Sequence, residues 1–260
     1  MKQLIQIFVM GMRPLLIIYL IGVYFPVTSL VGSVFDQSHG ELDRLLNKHV
    51  SEGAVDYEAI RKDPTGLDRY LDQLAAVSET EFSTWARNEQ LAYLINLYNA
   101  ATIRLVCRHY PLESIKEIGG LFSGPWDQKV VKLFGRTVDL DHFEHDELRK
   151  RYQEPRIHFA LVCAAKGCPP LAGEPYVAER LDEQLERQAR KFMGQIGKNR
   201  VVPQERRIIL SPIFKWYGRD FGKSDKELIE QLRPYLPGLP EDPADWSIDF
   251  STYDWRLNKK

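Results

Sequence analysis

The densest group of side chains able to do chemistry lies between positions 155 and 170. The run PRIHFALVCAAKGCPP contains His158, Cys163 and Cys168, so it holds two of the three cysteines of the chain. Its apolar alternation predicts a strand that ends at Cys163, on which His158 and Cys163 face opposite sides. Cys168 follows in a tight loop, and loops on a rigid scaffold often carry reactive groups. Cys168 is therefore the leading candidate for a reactive residue.

Three functional interpretations of these residues compete, beside ordinary burial of the cysteines in the core. Cys168 is a nucleophile if His158 or His145 lies near enough to act as its base. In an oxidising compartment, Cys163 and Cys168 form a local disulfide instead. The third interpretation is a metal site made by His142 and His145 on one helix with Cys168 and His158, although this spacing is not diagnostic for zinc.

A second candidate group lies on a predicted helix over residues 88–108. Apolar side chains occur on every face of this segment, a pattern typical of a helix buried all round. Asn96 and Asn99 are its informative exceptions, because buried amides need hydrogen-bond partners. They either tie the helix to a neighbouring loop, or one of them orients a catalytic histidine or donates to an oxyanion.

The elements around these residues predict the fold class. Helix starts are expected at four residues that are followed three positions later by Glu: Ser38, Ser78, Asp141 and Ser224. Hairpins are predicted over residues 129–140 and 200–210. Because strands come as hairpins and do not alternate with helices, we expect an α+β fold: a mainly helical single domain with a small antiparallel sheet.

The N-terminus differs from the rest of the chain. Lys2 and Arg13 are its only charges, and residues 14–35 form an uncharged, mostly apolar run. This pattern predicts either a signal peptide cleaved before Val34 or a membrane anchor, and both export the remainder. Residues 36–260 contain no repeat or linker, so we interpret them as one domain that is periplasmic or faces the extracytoplasmic side of a membrane.

The net charge and the aromatic content exclude two classes of protein, those that bind nucleic acid and those that are disordered. Lys and Arg number 35 against 36 Asp and Glu, and without Lys2 and Arg13 the net charge goes from −1 to −3. No basic patch exists to bind nucleic acid, so we expect no nucleic-acid partner. Five Trp, 12 Tyr and 12 Phe provide material for a core, which excludes a disordered chain.

Several co-linear motifs resemble the domain-of-unknown-function 547 (DUF547) family. They are LINLYNA at 94–100, LDHFEH with a following LR at 140–149, the segment 155–171 and the flanks at 55–57, 210–217 and 253–258. The resemblance spans nearly all of residues 40–258 and implies an exported or membrane-associated protein without a settled reaction. That family usually carries Ser where this chain has Ala165 and Gly167, so a serine-based mechanism there is not supported.

Our leading hypothesis from the sequence is a cysteine-dependent hydrolase or transferase outside the cytoplasm. Cys168 would be its nucleophile and His158 its base, with His145 or Asn99 orienting the base. The alternative is a non-catalytic cell-envelope binding module whose His, Cys and Asn residues form a core network, or a domain stabilised by a disulfide or metal. We expect no cofactor, an unknown substrate or envelope partner, and membrane attachment only through an uncleaved N-terminal segment.

Overall fold

A computed structural model describes residues 35–120, 123–243 and 245–260. The predicted signal peptide or anchor lies outside these residues except for Phe35. Among the helices of the described ranges, none has the length and apolar character needed to cross a membrane. Phe35–Lys260 form one compact unit.

Helices dominate the described residues. The α-helices are α1 (Gly40–His49), α2 (Tyr57–Lys62), α3 (Thr65–Ala76), α4 (Glu79–Thr84), α5 (Arg87–His109), α6 (Leu140–His142), α7 (Lys150–Tyr152), α8 (Leu181–Met193), α9 (Ile213–Phe221) and α10 (Asp225–Leu232). A π-helix (Phe143–Arg149) joins α6 to α7. The strands are β1 (Val50–Ser51), β2 (Ala54–Val55), β3 (Lys129–Leu133), β4 (Arg136–Asp139), β5 (Arg200–Val202), β6 (Arg207–Leu210) and β7 (Ser247–Phe250).

The strands form three small sheets among the described residues, and the α+β prediction is confirmed at this level. The predicted hairpins are present as β3 with β4 and β5 with β6, both antiparallel. Phe134 and Gly135 turn the first hairpin with positive φ angles of 50° and 75°. A single antiparallel sheet was expected, but β7 adds to β6 in parallel.

The central helix is α5, as its apolar pattern predicts. Nearly every residue between Leu91 and Cys107 is buried, and the main hydrophobic core surrounds this helix. Its first turn has no Ser, Thr or Asp cap. Instead, the Glu89 carboxylate accepts a hydrogen bond of 2.6 Å from the backbone N–H of Ala86.

Two of the four predicted helix starts are confirmed. The Ser78 hydroxyl accepts from the amide of Glu81 at 3.1 Å, and Ser224 caps α10 in the same way. The other two are wrong by a few residues. Asp36, not Ser38, accepts the free amides before α1, and Asp139, not Asp141, caps α6.

The predicted strand that ends at Cys163 is also wrong. Its first part is a 3₁₀ helix, Pro155–Phe159. Pro155 has no N–H to lose at the start of a helix, and the Glu154 carboxylate accepts from the amide of Arg156 at 3.1 Å. These end effects favour a helical turn over an extended strand.

His39 is a buried titratable residue at the start of α1. Its Nδ1 lies 2.7 Å from the Tyr70 hydroxyl, and no described residue bonds its buried Nε2. Burial lowers the pKa of His39 to about 4, against a small opposing effect of Asp36. The folded protein therefore holds this imidazole neutral near pH 5.

We predict that acid weakens the fold through His39. The unfolded state takes up this proton near pH 6.5 and the folded state only near pH 4, so stability falls as the pH drops between them. From pH 7 to pH 5, the free energy of unfolding should fall by about 2 kcal/mol more than in His39→Asn. Asn suits the positive φ of this position. Urea unfolding of both proteins at the two pH values measures this difference. If the free energy of unfolding falls equally in both proteins from pH 7 to pH 5, the prediction is wrong.

Candidate functional site

A cleft of about 540 Å³ is the place where the described residues gather aromatic and titratable side chains. Its aromatic lining comes mainly from α9 and from the C-terminal segment after β7: Trp126, Trp216, Tyr217, Tyr253 and Trp255. Its polar lining includes Glu144, His158 and the two cysteines of the predicted reactive segment. A pocket of this size, with apolar walls and a few polar groups, suits a small organic molecule.

His158 is held at the wall of this cleft by Asp220 of α9. Its Nε2 lies 2.7 Å from Asp220 Oδ2, and only 4% of the residue is exposed. The imidazole stacks on Tyr217, with ring centroids 4.2 Å apart and planes 23° apart. One nitrogen is thus paired with a carboxylate, and the stacking sets the plane of the ring.

Arg149 holds the other side of the Asp220 carboxylate. Its Nε lies 2.6 Å from Oδ2 and its Nη2 lies 2.8 Å from Oδ1, a two-point ion pair. Burial is the largest influence on Asp220 and raises its pKa, but the hydrogen bonds and charges of His158 and Arg149 outweigh it together. The pKa of Asp220 therefore lies well below its usual range, and the carboxylate is ionised.

His145 lies next to this arrangement, and the structure does not place it against His158. Its Nδ1 contacts Arg149, and its Nε2 lies 3.2 Å from Asp141 Oδ1. A chain of contacts therefore runs from Asp141 through His145, Arg149 and Asp220 to His158. Any orienting effect of His145 on His158 acts through the arginine and the aspartate.

The π-helix places Glu144 in the cleft. This carboxylate is 6% exposed and accepts a hydrogen bond of 3.0 Å from the Tyr98 hydroxyl. Burial first, and then the charge of Glu144, raise the pKa of Tyr217 well above its usual value, so its hydroxyl stays protonated. Short π-helical segments often occur at functional sites, because they turn one side chain out of the regular register.

The two cysteines of the cleft form a disulfide with each other. The Tyr253 hydroxyl lies 3.1 Å from Cys163 Sγ and 3.1 Å from Cys168 Sγ. Cys168 is 4% exposed, whereas Cys163 is partly exposed. The leading sequence hypothesis needed a free Cys168 thiol beside a base. In this structure Cys168 has no free thiol, and the competing disulfide interpretation describes the pair.

The irregular chain before the disulfide is held by Asn99. Its amide nitrogen donates to the carbonyl of Ala160 at 2.9 Å, and its amide oxygen accepts from the N–H of Val162 at 3.0 Å. Asn96 makes the same pair of bonds to the backbone of Tyr176. Both amides have these backbone partners, so Asn99 positions a loop and is not a group that touches His158.

The chain around Cys168 is held from two further sides. Lys198 Nζ donates to the carbonyls of Lys166 and Cys168, each at 2.7 Å, and its burial lowers its pKa to about 8. The C-terminal segment lies along the same loop, where the N–H of Gly167 donates to the carbonyl of Asp254 at 2.8 Å. This pairing brings Tyr253 against the sulfurs.

The metal interpretation finds no cluster to support it. Within residues 35–120, 123–243 and 245–260, no three or more His, Cys, Asp or Glu side chains are placed to hold a metal ion. His142 is 40% exposed and lies 3.0 Å from Asp146, one turn along its own helix.

Sequence reasoning missed Asp220, Tyr217 and Tyr253 and treated Glu144 only as a helix cap. One signal was available. Tyr217 and Asp220 are three residues apart in the sequence, a spacing that places two side chains on one face of a helix such as α9. That their partner is His158 depends on a contact across 62 positions, which no local pattern reveals.

Comparison with known families gives one match. Residues 82–193 match the family described as "Protein of unknown function, DUF547". No curated protein matches the chain, and no solved structure does. The matched range contains Asn99, Glu144, His158 and the disulfide, whereas Asp220 and Tyr253 lie beyond it.

We predict that the native protein does not react with iodoacetamide without reductant. The disulfide protects two of the three cysteines, and burial raises the pKa of the third, Cys107, to about 12. Peptide mass spectrometry should find three labelled cysteines only after unfolding with reductant. Labelling of Cys168 in the native, unreduced protein would restore it as a nucleophile and contradict the disulfide.

We predict that Gly167→Ser displaces Tyr253 and lowers stability. A Cβ at position 167 lies 2.8 Å from three carbons of the Tyr253 ring, closer than carbon atoms pack. Urea unfolding should show a loss of about 1–3 kcal/mol. Gly173→Ser is the matched control, because no atom lies within 4 Å of its Cβ position. If the two variants have the same free energy of unfolding, the loop accommodates the added side chain at position 167 and the prediction is wrong.

Proposed function

We propose that this chain, which belongs to the DUF547 family of unknown function, is an enzyme of the hydrolase or transferase type. Its active site is the aromatic cleft. His158, held by Asp220, moves protons to and from a small organic substrate. The observation that carries the proposal is the bond of 2.7 Å between His158 Nε2 and Asp220 in the wall of the cleft.

The geometry supports a base at the other imidazole nitrogen. Because Asp220 is ionised, it favours a proton on Nε2 of His158, and the neutral form of the imidazole then has its lone pair on Nδ1. No described residue forms a hydrogen bond with Nδ1. A water or substrate hydroxyl in the cleft can give its proton to this nitrogen, and Asp220 stabilises the imidazolium that forms. Arg149 keeps the carboxylate in place during the transfer.

The sulfur chemistry expected from the sequence takes a different place in this proposal. With Cys163 and Cys168 joined, the sulfurs form part of the cleft wall beside Tyr253. The attacking group is then a water or a substrate atom activated by His158. The disulfide also supports export of the domain, because such bonds persist mainly in oxidising compartments outside the cytoplasm.

A non-catalytic binding module is the second candidate function. Trp216 favours it, because this ring lines the cleft with 46% of its surface exposed. Large exposed aromatic rings often mark sites that bind a partner or ligand. The two functions differ in one measurable respect, since only the enzyme loses turnover when His158 loses its basic nitrogen.

We predict that His158→Gln removes turnover of the full-length protein. Steady-state assays with activated esters, thioesters and anilides should show wild-type hydrolysis, and kcat/KM should fall about 100-fold or more in the variant. Asp220→Asn should lose turnover too, because it frees the imidazole to rotate. His142→Gln is the control, since that exposed histidine belongs to a neighbouring surface pair.

Circular dichroism shows whether each variant is folded. Folded variants that hydrolyse as fast as the wild type, or a wild-type protein that shows no turnover in any assay, would contradict the enzyme. Either result would leave the cleft as a binding site.

A further inference from the structure

We infer that the ligand of the cleft carries an organic cation, an alkylammonium group. The inference rests on the proposed function only in taking the cleft as the ligand site. It comes from the charges and rings of the lining and does not depend on the chemistry of His158.

The described lining has three carboxylates and no Lys or Arg. The carboxylates are Asp127, Asp141 and Glu144. Asp141 has His145 as a partner at 3.2 Å, and Asp127 accepts from the amide of Gly124 at 2.6 Å. Carboxylates in a cleft with apolar walls concentrate the negative field and attract a cation.

Glu144 carries the argument furthest. It is 6% exposed, and no described Lys or Arg forms an ion pair with it. The charge of Glu144 contributes to the raised pKa of Arg149, but the guanidinium of Arg149 forms hydrogen bonds with both oxygens of Asp220. Burying a carboxylate with hydroxyl partners alone is costly, and a cation bound in the cleft would offset that cost.

The aromatic residues offer the other half of a cation site. Tyr253 lies 4.8 Å from Trp216 and 4.5 Å from Trp255, with interplanar angles of 60° and 54°. All three rings line the cleft, and aromatic rings are the groups that bind quaternary ammonium ligands in proteins. Lys116 Nζ already lies 3.9 Å from the centroid of Trp255, which shows that this ring accepts an ammonium.

Two other ligand classes fit these observations less well. An anion would meet three carboxylates, and no described Lys or Arg lines the cleft to pair with it. A neutral sugar could stack on the rings and bond to the carboxylates, but it leaves the charge of Glu144 unbalanced. The charge of the ligand is therefore the property to test.

The experiment compares choline with its neutral isostere dimethylbutanol, in which carbon replaces nitrogen. Tryptophan fluorescence of the full-length protein follows each titration, with sodium chloride holding the ionic strength constant. We expect choline to bind about tenfold more tightly than the isostere or more. Glu144→Gln should weaken choline binding about tenfold and leave binding of the isostere within about twofold. Trp216→Ala should weaken both.

Ile196→Ala is the control for loss of exposed apolar surface, because this residue is 76% exposed and lies outside the cleft. It should bind choline as the wild type does. Equal affinity for choline and the isostere would overturn the inference. So would no binding of choline, unchanged binding in Glu144→Gln, or tighter binding of N-acetylglucosamine.

His158→Gln separates this inference from the proposed enzyme. The variant should still bind choline, because the cation site consists of Glu144 and the rings. Choline binding without any turnover would support the cation and reject the enzyme. Turnover that depends on His158, without a preference for choline over its isostere, would do the reverse.

Discussion

The site depends on how one helix satisfies the backbone of an irregular chain. Residues 160–171 run through the buried part of the protein without a strand or helix of their own. Buried backbone N–H and C=O groups need partners. Asn99 on α5 supplies two of these partners. Its side-chain amide donates one hydrogen bond to this backbone and accepts another, as a neighbouring strand of a sheet would do. His158 and Cys163 lie on either side of this anchor, so their positions follow from it.

The C-terminal segment completes the same loop from the opposite side. Its backbone bonds to the residues around Gly167, and it brings Tyr253 and Trp255 into the cleft. The absence of a side chain at Gly167 allows the Tyr253 ring to approach the disulfide. Glycine at this position therefore suits the close packing of a ring from the end of the chain.

The electrostatics of the cleft divide into two parts. In the chain from Asp141 to His158, each carboxylate lies against basic side chains: Asp141 against His145, and Asp220 against both Arg149 and His158. Glu144 stands apart, with hydroxyl groups as its near partners. The first part holds the His158 imidazole in one orientation, and the second places a buried carboxylate at the cleft.

Local periodicity and end effects are enough to predict several features of this fold from the amino-acid sequence. The apolar pattern of α5, the two hairpins and the Ser78 and Ser224 caps all depend on residues close in the chain. Burial on every face of α5 also implied that Asn96 and Asn99 must find partners. The concentration of His158, Cys163 and Cys168 in one segment pointed to the right part of the protein.

How those residues meet depends on the packing of the whole domain. The alternating pattern before Cys163 suited a strand, but Pro155, Glu154 and the distant Asn99 favour a 3₁₀ turn and an anchored loop. His158 and Cys163 consequently face one cleft instead of opposite sides of a sheet. The pairing of His158 with Asp220 and of Tyr253 with the sulfurs joins positions 62 to 90 residues apart. Such pairs arise from packing of the whole domain, so the residues near each partner in the sequence do not predict them.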